Sequence, residues 1–227
     1  MNAVVKRRYD NSRRQAQSHA TRLRIIEAAK AQFTEHGYPA TTLEAVAAAA
    51  GTSLPTLYRL FASKRILLKT VLDATFGGDD EPITFADRPA VKAALTQADA
   101  TVLIRAFARL GREFMDRSAP ILHILATAAQ VDPDAAQLMT EVRRQRHTGQ
   151  SRIIAALASR DALDPALGLA EAADMAYAVL SPEVHRILTV ERGWTPEQYE
   201  RWLSRSLGAL LRPGTRPDTR PAAEPPK

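Results

Sequence analysis

Arg59, Tyr58, Thr56 and Lys64 carry the groups with the clearest chemical use in this chain, and they fall together in TTLEAVAAAAGTSLPTLYRLFASKRILL, residues 41–68. Hydroxyls and a lysine ammonium grip phosphate oxygens, and the planar fork of Arg59 suits O6 and N7 of a guanine. Such groups recognise a polyanion and break no bonds. A catalytic set is not found elsewhere. The five histidines, His19, His36, His123, His147 and His185, show no i, i+4 pairing with a carboxylate as a helical metal site requires, and neither a Gly-rich phosphate loop nor G-x-S-x-G occurs. Glu171 and Asp174 lie on a helix face between alanines, where solvent or a salt bridge accounts for them. The expectation is a protein that is no enzyme, with no metal and no cofactor.

Short helices must hold these groups. Thr41 can cap the first, with Glu44 three residues on reaching back as a capping box requires, and Leu43, Val46, Ala47 and Ala50 repeat at helical spacing. Small side chains from Ala47 to Ala50 let a second helix approach, and Gly51 follows where a left-handed residue ends a helix. Ser53 is an N-cap for a helix through Phe61, and Pro55 falls in its first turn, where a missing N–H costs nothing. Leu57 and Phe61 face inward, which presents Pro55, Thr56, Tyr58 and Arg59 outward. Ser63 caps a further helix, whose first turn holds Lys64 and Arg65. Cations there oppose the helix dipole, which points to an external anion that compensates them. Ahead of the motif, residues 21–36 read as a bracing helix with Leu23, Ile26, Ala29 and Phe33 on one face, stopped by Gly37 and Pro39.

At these residues the chain resembles the tetracycline-repressor (TetR) family of transcription regulators. The resemblance covers roughly Thr21 to Leu72: the helix before the motif, Gly37-Tyr38-Pro39-Ala40-Thr41-Thr42, the turn and second helix GTSLPTLYRLF, and the SKRILL start of the next helix. It implies a helix-turn-helix on double-stranded DNA. Thr42, Thr56, Tyr58 and Lys64 match positions that hold phosphates in the family, while Ser53, Leu54, Pro55 and Arg59 match positions that face the groove. Thr41 is counted with Thr42 among the DNA contacts. Leu43 and Leu54 replace polar residues used for base contacts in the tetracycline repressor itself, so the bases read here differ.

Charge agrees with this division of labour. Residues 1–70 hold 12 Lys and Arg against 4 Asp and Glu, whereas residues 71–227 hold 19 against 21, so a +8 module precedes a −2 body. That is the footprint of a nucleic-acid binder with a second function attached. Residues 1–19, with Lys6, Arg7, Arg8, Arg13 and Arg14, read as a disordered basic arm, either a solvated tail or one adding phosphate or minor-groove contacts. There is no Cys, which fits a reducing compartment, and no apolar run approaches the ~20 residues that span a bilayer. No secretory signal is read at Met1 to Ala20, so a cytoplasmic protein without a membrane partner is expected.

The fold expected is all-α. Residues 20–76 form the DNA-binding domain with its connecting helix, Gly77-Gly78-Asp79-Asp80-Glu81-Pro82 is the linker that opens a helical ligand-binding and dimerisation domain over 77–212, and residues 213–227, with five Pro, form a disordered tail. Asp132-Pro133, Asp164-Pro165, Ser181-Pro182 and Thr195-Pro196 read as helix starts, the last with Gln198 completing a capping box. In the helix from Ala100 to Met115, Arg105, Arg109 and Arg112 share a solvated face. From Ala119 to Gln130 the chain is apolar nearly all round, and His123, Thr127 and Gln130 make one polar line, either a solvent edge, satisfied buried hydrogen bonding or the wall of a ligand cavity. His147 reads as an exposed helix residue.

Val184, Ile187 and Leu188 share a face, and Tyr199, Trp202, Leu203, Leu207, Leu210 and Leu211 repeat along the last helix. Trp and Tyr are frequent interface anchors. The resemblance implies that two copies pair through these last helices, with Val184, Leu188, Tyr199, Trp202, Leu203 and Leu210 at the interface. The alternative is that both faces complete the protomer core. The reading as a whole is a homodimeric repressor, released from an inverted-repeat operator by a small, largely apolar ligand. A constitutive or activating regulator without a ligand, or a helical interaction protein without DNA, are the alternatives.

Overall fold

The computed structural model describes residues 2–77 and 88–212, with side chains from residue 15 onward. Apart from Gly77, the expected linker lies outside the described residues, and so does the proline-rich tail. Among the described residues every regular element is helical: α1 Asn2–Ala40, α2 Leu43–Ala49, α3 Leu54–Phe61, α4 Lys64–Gly77, α5 Pro89–Leu95, α6 Ala100–Ala128, α7 Pro133–Ala158, α8 Leu169–Val179, α9 Pro182–Arg186 continuing into a π-helical turn Ile187–Glu191, and α10 Pro196–Gly208. The arm expected to be disordered is helical from Asn2. No Gly or Pro precedes Gly37, and Arg, Gln and Ala are good helix formers, so the packed part of α1 extends backwards without interruption.

The chain divides into two compact units, and the division is not the one expected at residue 77. The described residues within Met1–Pro82 pack with Pro120–Met139, and those within Ile83–Ala119 pack with Thr140–Lys227. Residues 100–115 and 119–130, read as separate helices, are a single helix that runs through Pro120 to Ala128. Pro120 is exposed, which leaves its missing N–H on the wet side of the helix.

In the first unit α1 buries Ile25, Ile26, Ala29 and Phe33. Leu23, expected inside, is exposed, whereas Ile25, four residues before Ala29 and eight before Phe33, is fully buried on their face. Gly37 ends the regular part of α1 with φ 74°, ψ 169°, a conformation a side chain would strain. Onto α1 pack Leu43, Val46 and Ala47 of α2, Leu57 and Phe61 of α3, and Leu67, Leu68, Val71 and Leu72 of α4, all buried. Arg24 reaches across to the Ala50 carbonyl with Nε at 3.4 Å, satisfying a backbone acceptor at the end of α2. From the later part of the chain come Ile121, Leu122, Leu125 and Ala128 of α6 and Ala135, Leu138 and Met139 of α7. Asp132 caps α7 as its sequence suggested, accepting from the amides of Asp134 at 2.8 Å and Ala135 at 3.1 Å.

The second unit is built around Leu103, Ile104, Ala108 and Met115 of α6, Ile153, Ile154 and Leu157 of α7, and Tyr199, Leu203 and Leu207 of α10. Gly111 allows the closest approach, since a Cβ there would stand 2.6 Å from Leu180 Cδ2. Two of the three remaining Pro-marked starts hold. Ser181 Oγ accepts from Val184 N at 3.2 Å, and Thr195 with Gln198 forms the reciprocal capping box. Asp164-Pro165 does not start a helix: Asp164 accepts from Ala166 N at 3.0 Å in a local turn, and α8 begins only at Leu169 behind Gly168. The end of α10 is tied down by Asp164 N to Leu210 O and Arg212 N to Ala162 O, each 2.9 Å.

Candidate nucleic-acid interface

The cap of α2 is one residue later than the sequence suggested. Thr42, extended at φ −103°, ψ 155°, accepts from Ala45 N at 3.1 Å. Thr41 is instead 2 % exposed and gives its hydroxyl inward to Gln32 O at 3.0 Å and Gly37 O at 2.8 Å. Its hydroxyl thus stitches the end of α1 and is withdrawn from any DNA contact, which corrects its place among the DNA-binding residues.

Between α2 and α3 Gly51 adopts φ 60°, so the chain turns without strain. Ser53, at φ −85° and ψ 148°, caps α3: Oγ accepts from Thr56 N at 3.4 Å and lies 2.9 Å from Thr56 Oγ1. Leu57 and Phe61 anchor the inner face of α3. That anchoring puts Pro55, Tyr58 and Arg59 on the exposed side, with Leu54 and Thr56 half-buried beside them. Tyr58 is 47 % exposed, a large ring with about half of its surface left in water. Arg59 has no hydrogen bond or ion pair among the described residues, so its five donors are free.

The cations at the start of α4 are placed differently from the expectation. Ser63 caps the helix through Ile66 N at 3.2 Å. Lys64 folds back, donating Nζ to Pro39 O at 3.3 Å and standing 4.4 Å from the centroid of the Tyr38 ring. Burial lowers its pKa, with Asp132 pulling the other way. Arg65 Nε lies 3.9 Å from Asp134 Oδ2. The compensation sought in an external anion is therefore partly internal, supplied by the acidic turn before α7. Tyr38 lies in the matched stretch, but Asp132 and Asp134 are not expected here, because nothing local in the sequence shows that residues 132–134 return to α4. Burial, and after it Asp132, pushes the Tyr38 phenol up to about 12.

The other residues singled out in the sequence fare unevenly. His123, Thr127 and Gln130 are all exposed, Thr127 returns its hydroxyl to His123 O at 3.0 Å, and Gln130 lies past the end of α6. They form a solvent edge. Tyr199, Leu203 and Leu210 are buried within the protomer, Tyr199 and Leu203 at 0 % exposure, so they complete its core and cannot meet a second copy. Val184, Leu188 and Trp202 remain half-buried. Arg105 and Arg109 are exposed, whereas Arg112 is bound by Asp116 and Glu200 at 2.9 Å each. His147 is exposed and pairs with Asp174 at 3.0 Å.

Two short helices joined by a left-handed glycine, with an uncovered Tyr and Arg on the second, define a helix-turn-helix protein of the all-α class. Residues 25–71 match the family model for bacterial regulatory proteins, tetR family. The HTH-type transcriptional repressor ComR of Escherichia coli (strain K12) is 27% identical over 133 residues, which is 57% of this chain and 59% of ComR. The match thus spans less than two thirds of that curated relative. Among solved structures, NalD, the secondary repressor of the MexAB-OprM multidrug efflux pump in Pseudomonas aeruginosa, is similar with TM-score 0.64 and 20% identity over 86% of this chain and 98% of NalD. The SmeT–triclosan complex gives 0.65 and 19% over 91% of this chain and all of SmeT, the repressor of the Stenotrophomonas maltophilia efflux pump SmeDEF. At such identities the two structures establish the fold. The segment over residues 25–71 is thus similar to the DNA-binding part of tetR-family regulators, and the chain as a whole shares the all-helical fold of NalD and SmeT.

Proposed function

We propose that the chain is a cytoplasmic, homodimeric repressor that binds an inverted-repeat operator and leaves it when a small molecule occupies its second unit. The observation that carries this is α3: its inner face is locked by Leu57 and Phe61 while Tyr58 and Arg59 stand uncovered and unpaired. Arg59 reads a guanine in the major groove, with Ser53, Leu54 and Pro55 along the same groove. Thr42, Thr56, Tyr58 and Lys64 hold phosphates and set the register. Two copies present two such helices, so the half-sites lie about 34–36 Å apart.

The dimer face is narrower than the sequence suggested. Ile187, 42 % exposed, and Val190, 71 % exposed, stand on the turn after α9, with half-buried Val184, Leu188 and Trp202 as companions. An effector is supported by the SmeT–triclosan relative, and the repressor reading by ComR and NalD. Fluorescence anisotropy on DNA from upstream of the chain's own gene tests the reading. Specific binding at nanomolar concentration, lost on scrambling an inverted repeat, is expected; equal binding to scrambled duplex at every salt concentration overturns it.

A further inference from the structure

Among the described residues of the second unit, four of the buried polar atoms without a hydrogen-bond partner lie on three helices, α7, α9 and α10. On α7, Arg146 donates Nη2 to Leu180 O at 2.8 Å and lies with its guanidinium carbon 4.7 Å from the centroid of the Tyr177 ring, but its Nε is sealed from water and unpartnered. No described carboxylate forms a close ion pair with it, and the Glu183 charge acts on it only from further off. One helical turn on, Gln150 Oε1 is buried and unpartnered. The same holds for Tyr199 Oη on α10 and His185 Nδ1 on α9, whose rings meet edge-on at 4.9 Å. The charge of Arg146 is felt at Tyr199, which joins the two halves of the cluster.

Buried polar groups in folded proteins find partners in the great majority of cases, and a buried cation without a counter-ion is costly. The unpartnered atoms of α7, α9 and α10, linked through the His185–Tyr199 ring contact, are therefore open to a ligand that satisfies them. Its chemistry can be read from their types. Arg146 Nε and Tyr199 Oη are donors that a carboxylate satisfies. His185 turns Nε2 to Asp116 Oδ1 at 3.2 Å, where it donates to the carboxylate, so Nδ1 is left as an acceptor, and Gln150 Oε1 is a second one. Each takes an O–H or N–H donor.

We propose that Arg146, Gln150, His185 and Tyr199 form the polar end of the effector site, and that the effector is a small organic carboxylate bearing a hydroxyl or N–H donor. This rests on the effector-released reading above and replaces its largely apolar ligand with an amphipathic acid.

The test uses the full chain, with 3-hydroxyoctanoate and 4-hydroxyphenylacetate as probes and their methyl esters as controls, followed by calorimetry and thermal shift. At least one acid is expected to bind ~10-fold or more tightly than its ester, because the ester removes the charge that meets Arg146. Tyr199→Phe deletes a hydroxyl that holds nothing in the free protein. It should leave the melting temperature of the free protein unlowered and weaken the acid by ~3- to 10-fold. Arg146→Met should abolish acid binding; should that variant fail to fold, Tyr199→Phe and the esters decide alone. The proposal is overturned if no acid binds at millimolar concentration, if ester and acid bind equally, or if Tyr199→Phe leaves affinity unchanged. Operator release is measured separately by anisotropy. Acid that binds but releases no DNA sinks the release reading while the site stands; esters that release DNA sink the site while the release reading stands.

Discussion

Lys64 Nζ stands 4.4 Å from the centroid of the Tyr38 ring and donates to the Pro39 carbonyl at 3.3 Å. A cation that the family resemblance assigns to phosphate is thus already engaged by a ring and a carbonyl, with the Asp132 charge acting on it from further off. A cation–π contact at a partly exposed site contributes about 0.5–1 kcal/mol, whereas a charge-assisted hydrogen bond to phosphate contributes about 1.5–3 kcal/mol. The proposed phosphate contact thus outweighs the ring contact for the ammonium. Lys64→Ala is expected to weaken operator and random duplex by similar factors and to reduce the salt slope by about one phosphate's worth. Anisotropy across a salt series checks it, and a loss confined to the operator would refute the assignment.

The Tyr38 phenol gives a pH dependence with a definite sign. Its pKa is raised from 10.0 to about 12 by burial, with Asp132 adding to the shift. The folded state thus disfavours the phenolate relative to the unfolded chain, so the stability tied to this group is intact below pH 10 and is lost as pH rises through about 12. Tyr38→Phe should remove that part of the alkaline loss. Urea melts of both proteins between pH 9 and 12 are the measurement, and parallel curves would show that Tyr38 ionises as freely folded as unfolded.

What the sequence showed clearly was local. The caps at Ser53, Ser63, Ser181 and Thr195 and the turn at Gly51 depend on residues within a few positions of one another, and each formed. Thr41 and Thr42 both could cap α2, and the choice fell to the tertiary partner: Thr41 had the carbonyls of Gln32 and Gly37 within reach. Long-range facts left no such trace. Periodicity marks a buried face on α10 but does not say whether α6 or a second copy covers it, which is why Tyr199 and Leu203 were misassigned to an interface. It also cannot show that residues 120–139 pack with α1–α4, or that Asp134 meets Arg65. His123, Thr127 and Gln130 share a line on the helix, but the line faces outward.

Gly111 tests the packing of the second unit. A Cβ there would stand 2.6 Å from Leu180 Cδ2 and 3.8 Å from Leu203 Cδ1, both on buried side chains. Overpacking a core costs about 1–3 kcal/mol, while replacing Gly by Ala within a helix returns about 0.5–1 kcal/mol. Gly111→Ala should therefore destabilise by up to about 2.5 kcal/mol, and Leu180→Ala in the same background should cost less than Leu180→Ala alone. Chemical denaturation of the four proteins closes this cycle; additive losses would show that the two positions do not compete for space.

The proposed dimer separates two groups of apolar residues by their burial. Ile187 and Val190 are exposed, whereas Leu203 has no exposed surface. Arg at both Ile187 and Val190 should give a folded monomer, because a desolvated charge on each copy opposes association without touching either protomer core. Leu203→Arg should instead abolish folding. Sedimentation at micromolar concentration with circular dichroism distinguishes the cases, and an unchanged mass for the Ile187/Val190 variant would move the interface elsewhere.

Arg59 is the residue on which sequence preference turns. It is exposed on α3, has no partner among the described residues, and follows Tyr58 on the same uncovered side. Neither neighbour competes for its role: Thr56 is held to Ser53 at 2.9 Å, and Lys64 is a single point charge without a fork. A bidentate contact to O6 and N7 of one guanine discriminates by about 1–3 kcal/mol, whereas a phosphate contact carries no sequence information. Arg59→Ala is therefore expected to cost the operator about 1–3 kcal/mol and to flatten preference at one base pair in each half-site. Random duplex should lose much less. Both duplexes are titrated across a salt series, beside Lys64→Ala as the phosphate reference. If Arg59→Ala weakens the two duplexes equally and lowers the salt slope as Lys64→Ala does, Arg59 lies on the backbone and the base is read by another side chain of α3.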